Sequence, residues 1–135
     1  MGLIRSGNTN LTPLDDDKLT AYLWPIVKEM IKTAIENNQN LIVEGCYIPF
    51  TWNEDFDENY LKHIKYCCLI MTEKYIRNHF DDILKYSNVV EKRLDDLDLS
   101  IDELIKDNNK ALEEVLRYKL NYVLIDDTYR IKIDL

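Results

Sequence analysis

Apolar residues recur at Leu19, Tyr22, Leu23, Ile26, Val27, Met30, Ile31, Ala34 and Ile35. This i, i+3, i+4, i+7 spacing lines one face of a helix. The run Asp15-Asp16-Asp17 before it suits a helix start, because carboxylates accept from free N–H groups and complement the positive end of the dipole. Pro25 should kink or split this helix, since it has no N–H for the preceding turn. Asn37-Asn38 reads as its stop. Leu41-Ile42-Val43, entered from Asn40 and left through Glu44-Gly45, then reads as a short buried parallel strand.

Residues 49–60 are polar and aromatic and predict a loop with one helical turn. Tyr66-Cys67-Cys68-Leu69-Ile70-Met71 predicts a second buried strand. Thr72 or Glu73 then starts a helix carrying Tyr75, Ile76, Phe80, Ile83 and Leu84. Ser100-Ile101-Asp102-Glu103 is a capping box, in which the Ser and Glu side chains each satisfy a free backbone N–H. The helix behind it should bury Ile101, Leu104, Ile105, Leu112, Val115 and Leu116. Tyr122-Val123-Leu124-Ile125 predicts a third strand, ending at Asp126-Asp127. Strands alternating with helices predict an α/β fold, a parallel sheet with flanking helices in three layers. Residues 1–14 read as a turn of helix and a loop ending near Pro13. There is no internal repeat and no low-complexity tract.

Composition narrows the function. The 135 residues, 46% apolar and 31% charged, fit one globular domain. A net charge of −8 argues against a protein that tracks nucleic-acid backbones or an anionic membrane surface. No apolar run approaches the roughly 20 residues of a membrane helix, and residues 1–6 do not look like a signal peptide. The three cysteines, Cys46, Cys67 and Cys68, fit free buried thiols in a reducing, cytoplasmic setting better than a disulfide framework or a zinc site. His63 and His79 have no Cys or carboxylate at metal-ligand spacing and read as surface or half-buried side chains.

Parallel α/β sheets take ligands at the carboxyl ends of their strands. Those ends carry Glu44-Gly45, Met71-Thr72-Glu73 and Asp126-Asp127-Thr128. A nucleotide enzyme also needs a loop whose N–H groups cradle phosphate. Gly2-Leu3-Ile4-Arg5-Ser6-Gly7-Asn8-Thr9 has the glycine spacing of such a loop, with Asn8 where a Lys should be. We reject it: the charge for the β- and γ-phosphates is missing, and no strand–loop–helix context surrounds it.

The stretches Met1-Gly2-Leu3-Ile4-Arg5, Leu41-Ile42-Val43-Glu44-Gly45, Leu69-Ile70-Met71-Thr72-Glu73-Lys74-Tyr75-Ile76-Arg77 and Tyr122-Val123-Leu124-Ile125-Asp126 stand in an order that resembles the P-loop small-molecule kinases. That superfamily includes adenylate kinases, zeta-toxin-like kinases and 2-phosphoglycerate-kinase-like proteins. The resemblance covers the whole chain but lacks the first strand, the Walker A phosphate loop and the first helix. It therefore implies that Met1 is an internal methionine of a longer reading frame. It implies an ATP-dependent phosphotransferase using ATP and Mg2+ on a small phosphorylated or hydroxylated acceptor, inactive as this chain alone.

The resemblance also assigns roles. Arg5 falls where a substrate-binding arginine is expected. Glu44 lies near the magnesium, through water, and the acceptor. Arg77 opens a lid-like region of about 77–99, and Arg93 is its second arm. Thr128 and Tyr129 lie near the adenine pocket, together with Asp127. Pro49 is followed by Phe50 rather than the Arg of adenylate kinases, which departs from a nucleoside-monophosphate acceptor. Each residue also has a plainer reading: Glu44 as a loop cap, Arg77 as a solvated partner of Glu73 at i, i+4 spacing, and Phe50, Trp52, Phe56 and Tyr60 as a local apolar cluster or as pocket lining. Loss of the first strand, central in that family, would leave the strands at 41–45 and 66–71 to pair directly or to self-associate through an exposed sheet edge. The competing class is a non-catalytic binding or self-assembling protein on the same scaffold. A third reading, weaker and resting only on the acidic charge, is an antitoxin-like or regulatory partner.

Overall fold

The computed structural model describes residues 7, 9–11, 15–87 and 100–131. The expected helical turn and loop at 1–14 lie largely outside the described residues, as do most of the rejected glycine-spaced segment and the second arm of the lid-like region. The chain divides into two compact units, Met1–Ile64 and Lys65–Leu135.

The first unit is built on α1, Asp16–Glu36. Asp15 stands at its N-cap without a side-chain capping bond and instead accepts from Lys18 at 3.1 Å. Leu19, Trp24 and Ala34 are buried, whereas Ile26 and Met30 are exposed. The buried stripe is thus narrower than the apolar spacing predicts. Pro25 does not split the helix, which runs through it. Pro25 and Ala21, whose carbonyl loses its partner, both lie exposed, where water can take the missing bond. The stop falls at the predicted Asn pair. Asn37 is the C-cap, Asn38 takes φ 52°, and the amide of Gln39 donates back to the Ala34 carbonyl at 2.8 Å. This is a Schellman ending, with Asn supplying the left-handed residue.

The aromatic stretch closes against α1. A 3-10 turn, Trp52–Asp55, and a single turn α2, Glu58–Leu61, supply the partners. Trp24 meets Phe56 edge-on at 6.1 Å and 79°, and Trp52 meets the same ring at 6.1 Å and 60°. Phe56 and Tyr60 lie 6.3 Å apart. The local cluster is therefore realised at Trp52, Phe56 and Tyr60, with Trp24 as a member that the helical spacing had not singled out. Asp55 ties it together: Trp24 Nε1 donates to Oδ2 at 2.7 Å and Lys28 Nζ to Oδ1 at 3.0 Å.

The Trp24 bond first and the Lys28 bond second hold the Asp55 carboxyl below its ordinary value. A folded-state pKa below the unfolded one gives stability that is present above the unfolded value, about 3.9, and lost as pH falls through the folded value. Chemical denaturation followed by tryptophan fluorescence should therefore show Asp55→Asn losing less stability than the parent between neutral pH and pH 3. The difference should be modest, because the Asp55 side chain is 38% exposed. Equal losses would remove Asp55 from the account.

Leu41-Ile42-Val43 does not form the predicted strand. It is irregular, with Leu41 45% and Ile42 80% exposed. The apolar run is three residues long, at the short end for a strand. Polar Gln39-Asn40 precedes it, and Gly45 at φ 156° breaks the extended run immediately after Glu44. Residues 41–45 are thus no strand of the sheet among the described residues, and the expectation that they form one is corrected.

The second unit is mixed α/β. Strands β1, Cys68–Met71, and β2, Tyr122–Ile125, run parallel, with Ile70 opposite Leu124 and Met71 opposite Ile125. β1 starts two residues later than predicted. Between the strands come α3, Glu73–Tyr86, and α4, Ile101–Arg117, which packs on both β1 and α3. A parallel pair needs such a helical crossover. The capping box forms as read: the amide of Glu103 donates to Ser100 Oγ at 3.1 Å, and the Glu103 side chain returns to the Ser100 amide. Ile70, Ile76, Ile125 and Val115 are at most 2% exposed and form the core, joined by Tyr75 and Ile105. Leu116, predicted inside, is 56% exposed, and Leu84 on α3 is 42% exposed. Among the described residues the sheet has two strands, fewer than the three-layer parallel sheet predicted.

Candidate functional site

The carboxyl ends of the parallel strands are the natural ligand position, and in the second unit they converge on a polar cluster. The Thr72 amide donates to the Ile125 carbonyl at 3.0 Å, carrying the ladder one residue past β1. Thr72 is also the N-cap of α3. Its Oγ1 accepts from the Tyr75 amide at 3.1 Å and donates to Asp126 Oδ1 at 2.8 Å. One side chain thus closes the strand, starts the helix and fixes the acidic turn after β2. Lys74 Nζ reaches Asp126 Oδ2 at 3.5 Å and also bonds Asp127. Asp127, then Asp126, raises the Lys74 pKa above its ordinary value. The ammonium stays charged and offsets part of the acidic charge of Asp126 and Asp127.

On the far side of β1, Asn108 takes up a backbone group that the short sheet leaves over. The Cys68 and Thr72 amides point toward β2, so by alternation the Met71 amide points away. It donates to Asn108 Oδ1 at 2.8 Å, while Asn108 Nδ2 donates to the Leu104 carbonyl at 2.9 Å. The sequence gives no sign of this role beyond a polar residue on the inner flank of an amphipathic helix.

Glu44 is exposed in the irregular run after Val43 and belongs to the first unit. It does not stand at a strand end, because that strand is not formed. Arg77, Thr128 and Tyr129 belong to the second unit and are exposed. Arg77 lies on α3 and pairs with Glu73 at 2.8 Å, the i, i+4 arrangement of its plainer reading. Thr128 and Tyr129 follow the bends at Asp126-Asp127, and the Arg130 amide donates to the Thr128 carbonyl at 2.8 Å. Arg5 and Arg93 lie outside the described residues. Among the described residues no three His, Cys, Asp or Glu side chains gather closely enough to hold a metal ion.

The cysteines are free, but Cys46 is exposed and Cys67 and Cys68 only half-buried, so the expectation of buried thiols is corrected. Burial pushes the Cys68 thiol up, against a hydrogen bond from Tyr66 that lowers it. A thiol shifted upward is a poor nucleophile at neutral pH. His79 stacks on Tyr75 and lies 3.7 Å from Asp82. An open depression lined by Asp102, Ile105, Lys106, Asn109, Lys110 and Glu113 follows one flank of α4, its lining drawn from that helix alone. Among the described residues no helix is long and apolar enough to cross a membrane. No protein-family model, no curated protein and no solved structure matches the chain.

Proposed function

We propose that the chain belongs to the lineage of ATP-dependent small-molecule or nucleotide kinases, on a P-loop-like three-layer scaffold without its first strand, and that these 135 residues do not transfer phosphate by themselves. The observation that carries the reading is the parallel pair joined by a helical crossover, with Thr72, Lys74, Asp126 and Asp127 gathered at its carboxyl end. In such a kinase, positioning and charge neutralisation supply most of the catalysis. Arg77 and Arg93 take up charge on the transferring phosphoryl group. Thr128 and Tyr129 contact the base of ATP. Arg77 must leave Glu73 to act, a small cost for an exposed pair, about 0.3–0.5 kcal/mol. The acceptor is a small hydroxylated or phosphorylated molecule, in the cytoplasm. The test is a chain extended upstream in its own reading frame. The extension should encode G-x-x-x-x-G-K-[ST] between a strand and a helix, and the extended protein should bind Mg-ATP. An upstream stop codon without that motif would refute the lineage.

A second reading is favoured by one observation in the second unit: Leu69 and Leu124, on opposite faces of the two-stranded sheet, are 41% and 46% exposed. Parallel sheets are ordinarily covered on both faces. A non-catalytic self-assembling protein would cover these exposed side chains with further copies of the chain. Sedimentation at increasing concentration should then show association unaffected by nucleotide, and a single monomeric species throughout would exclude it.

A further inference from the structure

Helix α3 is not one helix throughout. His79, with φ −126° and ψ 19°, leaves helical geometry inside it, and no Pro or Gly is nearby to cause the break. The two sides of His79 are held very differently. On the amino-terminal side Tyr75 and Ile76 are buried, Thr72 caps the helix and binds Asp126, and Lys74 binds Asp126 and Asp127. On the carboxyl-terminal side no residue from Phe80 to Tyr86 is buried, and Leu84 and Tyr86 are 42% and 61% exposed. A segment with few buried contacts opens at lower free energy than the core it joins.

The His79 ring lies on Tyr75, with centroids 4.4 Å apart and planes 24° from parallel. Tyr75 is 8% exposed, so its ring is part of the core, and the imidazole covers its outer face. We propose that His79 is a hinge: the Tyr75–His79 stack holds the helix in its broken form, so residues 80–86 open and close as an arm while 73–78 stay fixed to the sheet. This rests on the geometry of α3 and is independent of the kinase reading.

Native-state amide exchange of the full chain tests it, with rates corrected for intrinsic exchange. Amides of 80–86 should exchange about tenfold or more faster than those of 75–78. His79→Ala removes the stack and places the best helix former at the break, so the ratio should shrink toward one. His79→Phe keeps an aromatic ring over Tyr75 and should keep the parent ratio. Equal rates on the two sides of His79 in the parent would overturn the hinge. A ratio that His79→Ala leaves unchanged or widens would overturn the part assigned to the stack.

Discussion

Trp24→Ala should destabilise the first unit by about 3–5 kcal/mol, the range for a buried aromatic cut to a methyl group. Trp24 is 8% exposed, meets Phe56 edge-on and gives its N–H to Asp55 at 2.7 Å. The change therefore opens a cavity, removes an aromatic contact and strips Asp55 of a donor together. Trp24→Phe separates these effects. It keeps most of the packing and loses only the hydrogen bond to a charged acceptor, about 1.5–3 kcal/mol. Both tryptophans, Trp24 and Trp52, lie in the first unit. Denaturation of Trp24→Ala can then be followed by the fluorescence of Trp52. If Trp24→Ala costs less than about 1 kcal/mol, an ordinary surface value, the cluster is not the core of this unit.

The second large effect is expected in the other unit. Ile125→Ala should cost about 2–5 kcal/mol. Ile125 is 2% exposed, stands opposite Met71, and ends the strand whose carbonyl receives the Thr72 amide. Truncation there loosens the core and the end of the ladder that fixes Thr72 and Asp126. Helical circular dichroism in denaturant should report the loss. Leu124→Ala is the control from the next position. Leu124 is 46% exposed, so its truncation should cost well under half as much. Equal costs at the two positions would mean that the packing of β2 is misassigned.

What could be read from the chain alone was whatever depends on neighbours in sequence. The Ser100–Glu103 box, the Asn37-Asn38 stop and the helix start at Thr72-Glu73 are local hydrogen-bond chemistry, and all three form as written. Tyr122–Ile125 was legible because four apolar residues, three of them β-prone, stand between a helix and an acidic turn. Leu41-Ile42-Val43 looked similar, yet a strand exists only if another strand takes its hydrogen bonds, and apolar pattern does not report the partner. That Pro25 does not split α1 could not be read from the chain, because its cost depends on whether the orphaned carbonyl faces water, which is a tertiary fact. Trp24 and Asn108 escaped for a related reason: each matters through one contact, with Asp55 and Met71 respectively, made 31 and 37 residues away in the chain. Of the candidate site, the acidic turn at Asp126-Asp127 was visible, but the Thr72 and Lys74 bonds that organise it were not. Arg77 was legible as a charged residue on α3, and its pairing with Glu73 followed from spacing.

Titration of Mg-ATP into the 135-residue chain tests the proposed function most directly, because the proposal separates the strand-end cluster, which is present among the described residues, from a phosphate cradle, which it holds to lie outside these residues. The account predicts no saturable binding tighter than about 1 mM, the loose end of the ordinary substrate range. One-to-one binding in the micromolar range, with a matching rise in thermal stability, would contradict it.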